Sequence, residues 1–252
     1  MLSNSSHYFG VIDSGVGGLT VLRQLESKYP NCAYVYFADT AYCPYGTKEP
    51  SEILHRVETV VDYLLDIGAG AIVLACNTAS VFADTLRSRY SVPIYDVIAP
   101  TCKLVSNVTR SKRVALLATN ATIKSHAYQD TLNALGIAVV AFPCSSFVPF
   151  VEANAVDTPE CEQAIREALH TLPHCNVDTV ILGCTHFPVL RKKIAPYVSE
   201  ASIVECVTDF RPFSFSVVQQ RANTVYLTSG CQQTVNAAAK FYTNARFVHV
   251  DC

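Results

Sequence analysis

Nine short apolar runs limit most strongly what this chain can fold into. They are Phe9–Ile12, Ala33–Ala38, Ala71–Ala75, Pro93–Ile98, Arg113–Ala118, Ile137–Phe142, Asp178–Gly183, Val225–Thr228 and Arg246–Val250. Each is four to six residues long, rich in Val, Ile, Leu, Ala and aromatics, with little alternation of apolar and polar positions. Strands covered on both faces by helices read this way. Amphipathic segments lie between the runs. In Ser51–Ile67, one stripe carries Ile53, Leu54, Val57, Val60, Val61, Leu64 and Leu65, and Gly68 is a natural stop. In Pro159–Leu172, Thr158 is the expected cap, Pro159 fits the first turn, and Cys161 falls on the buried stripe. The alternation predicts an α/β protein with doubly wound parallel sheets.

A faint internal repeat divides the chain. Ala71-Ile-Val-Leu-Ala-Cys76-Asn-Thr is similar to Thr179-Val-Ile-Leu-Gly-Cys184-Thr-His, and in each half an earlier strand ends in a polar loop. Two similar α/β halves facing each other explain this pattern. The boundary is expected near Val97–Pro100, and the chain after about Thr208 is expected to return to the first half. The domains are then 1–97 plus about 208–252, and 98–207.

Composition narrows the class. Hydrophobic residues at 50% and charged residues at 16% allow a large core. A net charge of −2 gives no basic footprint, so neither nucleic acid nor a polybasic membrane contact is expected. The polar start, Met1 to Tyr8, lacks the layout of a leader, and no apolar run reaches the roughly 18 residues of a membrane span. Eleven scattered cysteines without any C-x-x-C suit a cytoplasmic, reduced protein in which most are packing residues.

In open parallel sheets, ligands bind beyond the carboxyl ends of the strands. The polar loops there are Asp13-Ser14, Asp39 to Gly46, Cys76-Asn77-Thr78, Thr119 to Thr122, and Cys184-Thr185-His186. A thiol at a strand end before a helix N-terminus is expected to have a lowered pKa. Two such thiols on facing halves suit two bases on opposite sides of one carbon. Either cysteine alone reads more readily as core; the pair favours chemistry. The turn Ser14-Gly15-Val16-Gly17-Gly18 reads either as a phosphate cradle or as a place of close backbone approach. His186 reads as a proton-exchanging partner of Cys184 rather than a metal ligand, since no second ligand lies at metal spacing in sequence. Glu152, after Phe147–Val151, reads as a helix-start carboxylate, structural or functional with about equal weight.

These residues resemble a known family. Asp13-Ser-Gly-Val-Gly-Gly-Leu-Thr20, Pro44-Tyr-Gly-Thr47, Ala75-Cys-Asn-Thr-Ala79, Val148-Pro-Phe-Val-Glu152 and Leu182-Gly-Cys-Thr-His186 are similar to the glutamate racemases. The match runs from about Phe9 to Leu190, with a weaker Tyr226-Leu-Thr-Ser-Gly230. The resemblance implies two α/β domains with the active site between them. It implies racemisation of glutamate without a cofactor, supplying D-glutamate for peptidoglycan. By that similarity Cys76 takes the α-proton from D-glutamate and Cys184 from L-glutamate. Asp13 and His186 assist their respective thiols, with Glu152 near the second. Ser14, Pro44, Tyr45, Gly46, Asn77, Thr78, Thr119, Thr122 and Thr185 hold the substrate. Homodimerisation is left open.

The chain departs from the family pattern at Ala38 and Ala118, at Tyr42-Cys43, across Asp96–Thr101 and across Val204–Thr208. None of these removes an expected catalytic residue. Three other readings remain: an aspartate racemase, an inactive or moonlighting protein on the same scaffold, and a thiol redox protein. His186 and Asp13-Ser14 count against the first, since aspartate racemases usually carry Glu after Gly-Cys-Thr.

Overall fold

The computed structural model describes residues 8–198, 200–207, 224–244 and 246–252. The polar start before Tyr8 and the stretch that begins the expected return, from Thr208, lie outside the described residues. Strands and helices alternate through β1 (Tyr8–Asp13), α1 (Leu19–Lys28), β2 (Tyr34–Ala38), α2 (Pro50–Asp66), β3 (Ala69–Leu74), α3 (Asn77–Ser80), α4 (Ala83–Arg89) and β4 (Ile94–Tyr95). The chain continues with α5 (Ile98–Val108), β5 (Arg113–Ala118), α6 (Asn120–Lys124), α7 (Ala127–Ala134), β6 (Ala138–Pro143), α8 (Phe147–Glu152), α9 (Pro159–Leu169) and β7 (Thr179–Gly183). It ends with α10 (Arg191–Ile194), β8 (Ser202–Glu205), β9 (Val225–Thr228), α11 (Gln232–Ala238) and β10 (Val248–His249).

The described strands form two parallel sheets. One has six strands in the order β10-β9-β2-β1-β3-β4, the other four in the order β6-β5-β7-β8. Each sheet is covered on both sides, as the apolar runs require. In the larger sheet, Val11, Tyr36 and Val73 pack toward α1 and α11, while Ile12, Phe37 and Leu74 pack toward α2. In the smaller sheet, Ala115, Leu117 and Val180 pack toward α8 and α9, while Val114, Leu116 and Ile181 pack toward α5 and α7.

Local chemistry sets the ends of the elements. In α2 the expected stripe is buried at Ile53, Val57, Val60, Val61 and Leu64, and Gly68 ends the segment at φ +104°, where a side chain would be strained. The Thr158 hydroxyl accepts from the Cys161 amide, and Cys161 itself is core. Helix α9 ends at Leu169, and Leu172 begins a separate 3-10 turn, so the expected helix is one turn shorter.

Two other expectations need correction. The run Pro93–Ile98 forms a strand only over Ile94–Tyr95. Asp96 stops it, because its Oδ1 accepts from the amides of Ile98 (2.7 Å) and Ala99 (2.9 Å) and so starts α5. The sequence reading also lacks β8. Its two central apolar residues, Ile203 and Val204, are too short a run to stand out, yet it pairs with β7 at the sheet edge.

Packing between the sheets brings their carboxyl ends together. Helix α6, from the smaller sheet's half, packs on α3 and on the 3-10 turn Tyr45–Thr47 of the larger sheet's half.

Candidate active site

Cys76 directly follows Ala75 at the end of β3 and occupies the N-cap of α3. Cys184 follows Gly183, the last residue of β7. Both thiols are buried. The repeat in the sequence is therefore a repeat in position: each sulfur sits at the carboxyl end of a central strand in its own sheet.

Their surroundings differ. The Cys76 Sγ lies 3.9 Å from the Ser14 hydroxyl oxygen. The charge that acts on it most strongly is that of Asp13, at the end of β1. Burial, then the Asp13 charge, push the Cys76 thiol up to about 12, against the backbone hydrogen bond from Ala79. This corrects the expectation of a lowered pKa: a helix of four residues offers a weak dipole, and burial beside a carboxylate outweighs it.

Asp13 is itself fully buried. Its Oδ1 accepts from the Gly15 amide (2.8 Å) and its Oδ2 from the Thr185 hydroxyl (2.9 Å). Burial is the largest influence and pushes its carboxyl up to about 6, although His186, Gly15 and Thr185 act in the opposite direction. The Asp13–Thr185 bond also joins the two halves.

Cys184 faces a charge relay of the other sign. Its Sγ lies 3.7 Å from His186 Nδ1, and His186 Nε2 lies 2.5 Å from Glu152 Oε1. Burial works against a charged imidazole here, but the hydrogen bonds to Cys184 and Glu152 prevail and hold His186 well above its ordinary value. Burial likewise opposes a charged Glu152, and the bonds from His186 and from the Val16 amide (3.1 Å) hold it below the usual carboxylate range. Cys184 precedes a 3-10 turn, Phe187–Leu190, rather than an α-helix, so its cation is a side chain and not a helix end. Glu152 is the last residue of α8, not a helix-start carboxylate. Its position there is offset by the imidazole and the Val16 amide.

The glycine-rich turn resolves in favour of close approach. Its amides are taken by the chain's own carboxylates, Gly15 by Asp13 and Val16 by Glu152, which corrects the phosphate-cradle reading. A Cβ on Gly17 would come within 2.7 Å of the Thr185 hydroxyl and 2.8 Å of His186 Nδ1. Only glycine lets this turn lie against both.

Hydroxyls and amides fill the space between the sheets. Thr78, Thr119 and Thr122 form a triangle of hydroxyls 3.0–3.2 Å apart. Thr78 comes from one half and the other two from the other half. Gly46 presses on Thr119, where a Cβ would approach to 2.5 Å. Pro44 and Tyr45 carry that loop. The Tyr45 hydroxyl is donated to Asp39 (2.5 Å), so what Tyr45 offers a ligand is backbone. Asp39 in turn holds the Arg56 guanidinium at 2.8 and 2.7 Å and the Ser229 hydroxyl at 2.6 Å. A cleft of about 400 Å³ lies outside this layer, lined by Gly46, Lys48, Thr78, Asn120 and Lys124 among others; neither Cys76 nor Cys184 lines it.

The structure thus brings Asp13, Ser14, Cys76, Thr185, His186 and Glu152 into one cluster, with Gly46, Thr78, Thr119 and Thr122 on its cleft side. Four residues that border this cluster carry no site signal of their own in the sequence. Asp39 and Arg56 anchor the Tyr45–Gly46 loop from behind. Cys206, read as packing, receives a hydrogen bond from Asn77 Nδ2 (3.0 Å) and aims its thiol at the Leu182 carbonyl (3.1 Å), while the Tyr128 hydroxyl donates to Asn77 Oδ1 (2.6 Å). Cys43, also read as packing, lies beside Glu152 and His186. Tyr45-Gly46 signalled its loop; nothing in the spacing of Cys43 or Cys206 signalled theirs. Among the others, Cys102, Cys144 and Cys161 are core as expected, and all eleven cysteines are unbridged.

Such a site can bind an anion among hydroxyls and present one sulfur that keeps its proton and another that faces a cation. Comparisons with known proteins place the chain in a family. The sequence profile described as Asp/Glu/Hydantoin racemase matches residues 18–208. A glutamate racemase of Desulforudis audaxviator is 42% identical over 188 residues, which is 73% of this chain and 69% of that protein. The crystal structure of a glutamate racemase from Bacillus anthracis superposes with a TM-score of 0.85 at 26% identity, covering 99% of this chain and 98% of that one. The glutamate racemase of Francisella tularensis, solved in complex with D-glutamate, gives 0.84 at 26% identity and covers 98% of each chain.

Proposed function

The chain belongs to the Asp/Glu/hydantoin racemase family, within its glutamate racemases, and from that premise we propose that it interconverts L- and D-glutamate by two-base proton transfer at Cα without a cofactor. The observation that carries this reading is the pair of buried sulfurs at matching strand ends, one beside Asp13 and the other beside the His186–Glu152 relay.

For L-glutamate, Cys184 removes the α-proton, with the His186–Glu152 pair beside that sulfur placed to exchange a proton with it. Cys76, which holds its proton, delivers it to the opposite face. For D-glutamate the roles exchange. Cys76 is then the base, and protonation of Asp13 removes the charge that opposes its thiolate. The α-hydrogen is very weakly acidic beside an ionised carboxylate, so the developing carbanion needs fixed dipoles in a dry site. Ser14, Asn77, Thr78, Thr119, Thr122 and Thr185, with the Pro44–Gly46 backbone, supply hydrogen-bonding groups for the substrate's carboxylates and ammonium. Asp13–Thr185 and Asn77–Cys206 keep those groups aligned across the two halves.

The product serves peptidoglycan assembly in the cytoplasm on this reading, and the domains are 1–97 with about 208–252, and 98–207. No described helix is long and apolar enough to cross a membrane. Assay of racemisation with both acidic amino acids tests the substrate. Turnover of L-glutamate at least roughly tenfold faster than L-aspartate supports the proposal, because one methylene shifts a charged group out of register by about 1.4 kcal/mol or more; faster aspartate turnover refutes it.

A further inference from the structure

Cys43 has no part in the proton transfer, yet it stands at the heart of the site. Its Sγ, a carboxylate oxygen of Glu152 and a ring nitrogen of His186 all lie within 4.8 Å of one another. The three come from separate segments: the loop after β2, the end of α8 and the loop after β7. Each is held from outside the trio. The Ser14 hydroxyl lies beside Cys43, the Val16 amide donates to Glu152 at 3.1 Å, and Cys184 faces the far nitrogen of the His186 ring at 3.7 Å. The absent Cβ of Gly15 matters here as well. Placed on that residue, it would lie 3.3 Å from Cys43 Sγ and 2.1 Å from Glu152 Oε1, so glycine is what lets these two donors converge.

A thiolate, an imidazole and a carboxylate are the donor set of a zinc-type site with three protein ligands. We propose that Cys43, Glu152 and His186 form an inhibitory site for a thiophilic divalent cation of the zinc class. The three donor atoms, within 4.8 Å of one another, must draw closer to reach tetrahedral ligand spacing, with water completing the shell. The metal takes the place of the Cys43 thiol proton and of the proton shared by Nε2 and Glu152. The imidazole is then fixed with its remaining proton on Nδ1, and it can no longer pass a proton between Glu152 and Cys184. Racemisation stops while the fold persists.

Cobalt(II) and zinc titrations of the full chain test this. Wild-type protein is expected to bind one cobalt with a near-ultraviolet sulfur-to-cobalt charge-transfer band and tetrahedral visible bands, to be displaced by zinc, and to regain racemisation on chelation. Cys43→Val is expected to keep near-wild-type activity, to lose the charge-transfer band and to raise the inhibiting zinc concentration by roughly tenfold or more. Cys43→Ser, nearly isosteric, provides the same comparison if the valine variant does not fold. No cobalt band in wild-type protein overturns the proposal. So does an unchanged band or unchanged zinc inhibition in the Cys43 variants, which would place the metal on Cys76 and Cys184. A wild-type protein that binds cobalt through Cys43 but does not racemise glutamate would leave the metal site standing and refute the activity proposed above.

Discussion

The ends of β3 and β7 carry the same sulfur in the same topological place, and the chain treats them in opposite ways. At β3 the sulfur meets a carboxyl, Asp13, and burial with that charge keeps the Cys76 proton on. At β7 it meets an imidazole that Glu152 holds toward the charged state. Backbone position is thus duplicated while electrostatics are not. A strictly symmetric pair would put two protons or none in the site. Here burial and the Asp13 charge bias the Cys76 side toward holding its proton, which under the proposed racemisation is the proton delivered when L-glutamate is the substrate. Because the two enantiomers have equal free energies in solution, the proposed racemisation must have the same kcat/KM in both directions, so the asymmetry is expected only in kcat and KM taken separately.

The largest test removes one sulfur at a time. Cys76→Ala and Cys184→Ala are each expected to lose racemisation by roughly 10³-fold or more, the scale of losing a positioned acid or base. Proton NMR in deuterated water should show exchange of the α-hydrogen of L-glutamate alone in Cys76→Ala and of D-glutamate alone in Cys184→Ala. Exchange of the same enantiomer by both variants would break the assignment of sides. Native-like circular dichroism is needed in each case, since both thiols are buried.

Next come the partners. His186→Gln should lower exchange of L-glutamate more than that of D-glutamate, by roughly 10²-fold, and Asp13→Asn should do the reverse. Equal effects of each variant on both enantiomers would show that the two sides are coupled more tightly than their separate contacts suggest.

Asp13 also has a stability signature. Its folded-state pKa of about 6 lies above that of an ordinary carboxyl, 3.8. The folded chain therefore binds this proton more tightly than the unfolded chain, and stability falls as pH rises from the ordinary carboxylate range through about 6. The full loss, on the order of 3 kcal/mol, is present above that value. Asp13→Asn should accordingly be more stable than wild type at pH above about 7, with the difference vanishing near pH 4, as read by urea denaturation at each pH. A stability difference that does not change with pH would contradict the burial of an ionisable Asp13.

How much of this was legible beforehand depended on whether a contact is local. The sheets were readable because nine apolar runs declare their burial without reference to one another, and β8 was missed because Ile203 and Val204 alone do not. Both cysteines were readable because each ends its own strand. The pKa of Cys76 was not, since it depends on burial first and then on the charge of Asp13, which the pairing of β1 with β3 brings near. Cys43, Glu152 and His186 were unreadable as a group for the same reason: their spacing in sequence is long and irregular, and only the packing of α8 and two loops joins them.

The smallest expected effect concerns Cys206, which ties Asn77 to the Leu182 carbonyl. Cys206→Ser keeps a donor and an acceptor, so it should change kcat by about threefold or less, whereas Cys206→Val leaves Asn77 Nδ2 unpaired and should cost about 1–3 kcal/mol of stability. Thermal denaturation beside initial rates separates the two.

The central claim is that two different sulfurs handle the proton on opposite faces. It is tested most directly by following L-glutamate in deuterated water with the wild-type enzyme at early times, by mass spectrometry of the separated enantiomers. The account predicts that newly formed D-glutamate carries deuterium at Cα while the remaining L-glutamate still carries hydrogen. D-glutamate that keeps the original hydrogen, or folded protein that forms none, would contradict it.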